Sequence, residues 1–156
     1  MIYERATVED VPEMIELLKQ YPYTFDNLTE DPAAWLESRL DVPDAAYFKV
    51  DLGYVGYDPI IPGGVAMARM FYDKKTFNRL LGELIKKARD FFLYGFEVLG
   101  FYKIQADELV GQRHGVFLRR LGFKLEGTLR GVAFYDDKVR DMNIYGVFRE
   151  ELLCHL

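Results

Sequence analysis

Several side chains in this sequence are of types and spacings that could bind or move charge. Lys74, Lys75 and Arg79 cluster where a long periodic segment begins. A helix starting there would add its partial positive charge and favour an anion, and a solvated basic first turn is the plain alternative. Asp107 and Glu108 follow an apolar run, and either carboxylate could act as a general base or simply face water. Arg69 interrupts the apolar run Val65–Phe71. Pointing into a cleft it would hold an acidic group or a phosphate; pointing outward it is an ordinary strand residue. His114 shares a helical face with Phe117, Leu118 and Leu121. Its imidazole is either a donor or base at a cleft or a rim group satisfied by one hydrogen bond. No Cys/His metal spacing, Walker-type loop or nucleophile elbow occurs, so no metal site is expected.

The elements that must position these groups follow from periodicity and breakers. Ile2–Arg5 reads as a strand. Thr7 and Asp10 make a capping-box-like start to a helix with Val11, Met14, Ile15 and Leu18 on one face, ended by Tyr21-Pro22. Asp31-Pro32 starts a second helix running to Leu40, which is expected to bury Trp35 and Leu36. Ala46–Leu52 reads as a strand. Residues 53–64 carry four glycines and two prolines and read as a turn-rich connection with room for one short strand; Tyr54 and Tyr57 within it could line a groove. Val65–Tyr72 is a clear strand. Apolar positions from Phe77 to Leu99 then share one face of a long helix, stopped by Gly100 and weakened by Gly95. Phe101–Ala106 reads as a strand, and Gly111–Leu121 as a short helix stopped by Gly122. Phe123–Tyr135 and Met142–Phe148 read as a hairpin. Long-helix crossovers alternating with tight turns predict a mixed sheet in an α+β fold.

The chain has 156 residues, half of them hydrophobic and 15% aromatic, which suits one domain, residues 1–156, with a substantial core. A net charge of -5 disfavours nucleic acid as the main partner. The single cysteine, Cys154, forms neither an internal disulfide nor a thiolate cluster, and together with His155 it is read as incidental. No apolar run approaches the ~20 residues of a membrane span, and the start lacks a signal-peptide pattern, so the cytoplasm is the expected location.

The stretch from Phe101 to Glu151 carries a resemblance. Gly122-Phe123, Glu126-Gly127, Leu129-Arg130, Asp141 and Arg149-Glu150 are similar to the closing pattern of GNAT-superfamily N-acyltransferases, above all the branch that acetylates ribosomal-protein N-termini. The element order resembles the GNAT fold over the whole chain. The shorter run His114-Gly-Val-Phe117-Leu118…Gly122 resembles degenerate phage-encoded members, some of them virion-associated.

The resemblance implies an enzyme that transfers an acetyl or other acyl group from acyl-CoA to an amine: a protein N-terminus, a lysine or a small molecule. In the family, two central parallel strands splay to hold the pantetheine arm, and a glycine-rich turn at the long helix takes the pyrophosphate. Carried over, it implies cofactor contacts along Phe71, Tyr72, Lys74, Lys75, Thr76, Asn78 and Arg79, and at Gly111 and Gln112. Asp107, His114 and Arg69 become the catalytic candidates. The chain departs from the pattern at three places. Residues 73–79 lack the glycines of the phosphate turn, Gly111 stands where the family has asparagine, and Leu118 stands where it has a proton-donating tyrosine. A catalytically degenerate binding or virion-associated protein, located in host cytoplasm or virion, is therefore the competing expectation. Homodimerisation is left open.

Overall fold

The computed structural model describes residues 3–20, 31–73, 75, 81–135 and 137–154. Among the described residues seven strands form one mixed sheet: β1 (Glu4–Arg5), β2 (Ala46–Val50), β3 (Gly53–Ile61), β4 (Val65–Tyr72), β5 (Lys103–Leu109), β6 (Lys124–Tyr135) and β7 (Lys138–Phe148), in the order β1-β2-β3-β4-β5-β7-β6. The helices are α1 (Val11–Leu18), α2 (Pro32–Leu40), α3 (Leu81–Glu97), α4 (His114–Arg120) and α5 (Arg149–Cys154). Every described neighbour pair in the sheet is antiparallel except β4 with β5, which the α3 crossover makes parallel.

The two faces of the sheet differ. One packs against α3 and α4 through a core rich in aromatics: Phe48, Tyr57, Phe91, Phe92, Phe101, Phe117 and Phe123. The other packs against α1 and α2 through Val11, Met14, Leu18, Leu36, Leu40, Tyr47, Tyr54 and Phe71. Alternation along β4 sends Ala66 and Ala68 to the α3 face and Phe71 to the α1/α2 face.

Residues 53–61, expected as a turn-rich connection, are instead the long strand β3, paired on both edges. Its glycines serve close packing. A Cβ on Gly56 would meet the Tyr47 ring at 2.5 Å, and one on Gly53 would collide with the Phe71 carbonyl. The register shifts between Tyr57 and Ile60, so the proline falls in a bulge where the ladder is already interrupted. Tyr54 and Tyr57 consequently line no groove: both are fully buried. Tyr57 stacks on Phe91 at 4.6 Å and donates its hydroxyl to the Phe91 carbonyl at 2.9 Å. A side chain at Gly95 would collide with that hydroxyl, so this mid-helix glycine lets α3 approach β3.

Other boundaries shift. A 3₁₀ turn (Val8–Asp10) precedes α1, with the Asp10 carboxylate accepting from the Thr7 N–H at 2.9 Å. Trp35 is half-buried rather than buried. The α3 helix ends at Glu97, and Gly100 turns the chain with φ 76°. Strand β5 runs to Leu109, so Asp107 and Glu108 lie on the strand, not after it. The short helix α4 begins at His114, three residues after Gly111. Its end is a Schellman turn, as Gly122 predicts: Phe123 N–H to the Leu118 carbonyl and Gly122 N–H to the Arg119 carbonyl, both 3.1 Å. Helix α5 had no counterpart in the expected order.

Candidate active site

Strands β4 and β5 pair only at their first residues, Val65 with Lys103, Ala66 with Ile104 and Met67 with Gln105. Beyond these, Ala68–Tyr72 and Ala106–Leu109 part, although β4 stays bonded to β3 and β5 to β7. The facing edges therefore offer backbone N–H and C=O groups to the gap. A cavity of about 570 Å³ occupies it. Its lining includes Leu18, Trp35 and Arg39 from one side of the sheet and His114, Phe117 and Leu118 from the other, so the cavity passes through the opened sheet.

On the α1/α2 side the wall is charged. Arg69 lines the cavity and reaches across the opening, donating from Nη1 to Asp107 Oδ2 at 2.8 Å and from Nε to the Asp58 carbonyl at 3.0 Å. The inward orientation is the one realised. Burial works against the charge of Arg69, but Asp107, Tyr47 and Asp58 together outweigh it and its pKa is raised. The bulge in β3 aims the buried Asp58 side chain at α2, where Arg39 grips it with Nε and with Nη2, the latter at 2.7 Å, and where the Tyr47 hydroxyl donates at 2.6 Å. Burial first, then the negative charge of Asp58, pushes the Tyr47 phenol far up, so it remains a donor.

On the α3/α4 side Glu108 is buried. Its Oε1 accepts the Gly115 N–H at 2.7 Å and its Oε2 the Tyr145 hydroxyl at 3.1 Å, while Arg119 donates to the same hydroxyl at 3.1 Å. A Cβ on Gly115 would meet Glu108 Oε2 at 2.5 Å and collide with the Tyr145 hydroxyl. The Glu108 carboxylate thus clamps the first turn of α4 and holds His114 at the cavity wall. Glu108 also lines the cavity, with both carboxylate oxygens engaged.

Of the expected site residues, the structure brings Asp107, His114, Arg69, Phe71 and Tyr72 to one cavity. Phe71 is buried against Tyr47, ring centroids 5.7 Å apart. Gly111 and Gln112 are in the β5–α4 turn, Gly111 at φ 98°, and neither is part of the wall. Lys75 is exposed and helical, whereas Lys74, Thr76, Asn78 and Arg79 lie outside the described residues. Leu118, in the place where the resemblance expects tyrosine, is buried against the cavity. Sequence reasoning missed Asp58, Arg39 and Trp35. The i,i+4 spacing of Trp35 and Arg39 was the only local signal, and Asp58 carried none. Among the described residues no cluster of metal-ligating side chains occurs, and no helix is long and apolar enough to cross a membrane.

No protein-family model and no curated protein sequence matches the chain. Solved structures do match. A mutant of the spermidine N-acetyltransferase SpeG from Vibrio cholerae superposes with a TM-score of 0.80 at 15% identity, covering 98% of each chain. The same enzyme in complex with CoA and spermine gives 0.78 at 18% identity over 97% of each chain. A probable GNAT-family acetyltransferase from Chromobacterium violaceum gives 0.75 at 18% identity, covering 96% of this chain and 83% of that one. The chain therefore has the GNAT fold, the α+β architecture its element order resembles. The comparisons lend no support to the phage-type likeness.

Proposed function

We propose that this protein transfers an acyl group from an acyl-CoA to an amine. The observation that carries the reading is the parting of β4 from β5 after Met67 and Gln105, with a charged wall at one end of the resulting cavity. The facing edges of β4 and β5 beyond Met67 and Gln105 suit the amides of a pantetheine arm, and this is the fit the described residues test; Lys75 is the one described member of the basic cluster. When bound, the acyl-CoA supplies an activated thioester carbonyl. Strand N–H groups facing such a gap are of the type that stabilise charge growing on such an oxygen. Asp107 is the base: Arg69 fixes one carboxylate oxygen, and Oδ1, without a partner among the described residues, takes a proton from the incoming ammonium. His114, at the opposite wall beside the Glu108 clamp, is the candidate to assist the departing sulfur. A thiol pKa near ~8.5 lets the thiolate leave without a tyrosine at the position of Leu118.

Thermal unfolding with and without millimolar CoA and acetyl-CoA tests the reading. A ligand at ~100 times its Kd adds about 2.7 kcal/mol, or roughly 5–10 °C for a domain of this size. A flat response to both ligands sinks it. Leu118 favours a second reading, a binder of the same ligand without turnover. Acetyl-CoA that stabilises the fold while no amine is acetylated would select it.

A further inference from the structure

The polar wall on the α1/α2 side also bears on the acceptor, if the chain is an acyltransferase as proposed above. Two guanidiniums, Arg39 and Arg69, line the cavity with side chains 21% and 32% exposed. Each spends only part of its fork within the protein. Arg39 uses Nε and Nη2 on Asp58 and Nη2 on Asp44; Arg69 uses Nε on the Asp58 carbonyl and Nη1 on Asp107. Arg39 Nη1 and Arg69 Nη2 have no partner among the described residues, and neither is buried without one. Asp107 Oδ1 is likewise left over beside Arg69.

We propose that the acceptor is an amine carrying its own carboxylate on a small apolar body, with the ammonium on Asp107 and the carboxylate on the spare N–H groups of Arg69 and Arg39. An arginine fork matches a planar carboxylate. The charge of the wall and its spare donors together disfavour the neighbouring chemistries. Arg39 and Arg69 face three carboxylates, Asp44, Asp58 and Asp107, so a dianionic phosphate would add to an excess of negative charge. A polyamine would meet that negative charge but would leave the spare N–H groups of both guanidiniums without an acceptor. A zwitterion adds no net charge and supplies one partner to each spare group. Leu18, Trp35 and Phe71 give its apolar portion a surface to cover.

Isothermal titration calorimetry on the wild-type protein, with and without CoA, decides the matter through matched pairs: phenylalanine against phenethylamine and phenylalaninamide, and leucine against isoamylamine, with phosphoethanolamine and spermidine as the phosphate and polycation arms. The carboxylated member of each pair should bind about tenfold or more tightly. Arg69→Met should bring the pairs within about twofold, and Arg69→Lys, which keeps the charge but not the fork, should fall between. The inference is overturned if the decarboxylated amines bind equally well, if phosphoethanolamine or spermidine is preferred, or if no carboxylated amine binds. Binding is read without turnover and compared on wild type. A failure of acyl transfer therefore counts against the proposed activity alone, and a variant that fails to fold leaves the wild-type comparison in force.

Discussion

The first residues of β4 and β5 and their last residues make an instructive contrast within a single pair of strands. At Val65–Met67 and Lys103–Gln105 the strands are joined, and Ala66 and Ile104 pack without exposure against the dry core under α3. At Ala68–Tyr72 and Ala106–Leu109 they part, and Arg69 and Asp107 face each other across the opening. Each strand keeps its outer neighbour, β3 or β7, so opening forfeits only one ladder, and the freed groups face a cavity that water or a ligand can fill. The aromatic half supplies rigidity and the charged half the groups of the proposed chemistry. The separation suits a fold in which a rigid scaffold must hold a precise opening.

Mutation can break that contrast. Phe91→Ala should have the largest effect, because the Phe91 side chain is 1% exposed and its ring stacks on Tyr57. A loss of about 3–5 kcal/mol is expected, read as a lower urea midpoint. Asp58→Asn acts on the charged half and should cost roughly 2–3 kcal/mol, since it leaves Arg39 only the exposed Asp44 as a charged partner; that partner and the partial exposure of Arg39 lower this below the value for a fully buried pair. It should also weaken amine binding, which Phe91→Ala should spare while the protein remains folded. Equal effects of the two on binding would erase the proposed division.

The smallest effect sharpens the contrast through pH. The Thr7 N–H, opposed by some burial and aided by Lys49 and Tyr54, holds the Asp10 carboxyl below its ordinary value. The unfolded chain, with a pKa near ~3.9, therefore takes up this proton first as pH falls. The stabilisation from Asp10 is present above that pH and is lost as pH drops through the folded value. Asp10→Asn should cost about 1 kcal/mol near neutrality and flatten the acid limb of stability against pH. An unchanged acid limb would show that Asp10 is not among the groups setting it.

Much of this was legible locally. The Asp31-Pro32 start, the β4 boundaries and the Gly122 stop follow from caps, alternation and backbone freedom, each a property of a few adjacent residues. Residues 53–61 were not legible, because their glycines and prolines signal turns when viewed alone. Only the rings of Tyr47 and Phe71 and the close approach of neighbouring strands show why a paired strand needs them. Gly95 and Gly115 belong to the same class: each is explained by a tyrosine hydroxyl far along the chain.

By itself, then, the sequence determined the order and type of most elements, the face each helix buries and the set of charged side chains near one end of the sheet, since these depend on periodicity and local propensity. The tertiary structure alone decided that Arg69 turns inward, that Asp107 rather than Glu108 is left with a spare oxygen, and that Arg39 and Asp58 complete the wall. Those outcomes depend on which distant backbones and side chains meet across the sheet, and a one-dimensional pattern carries no such distances.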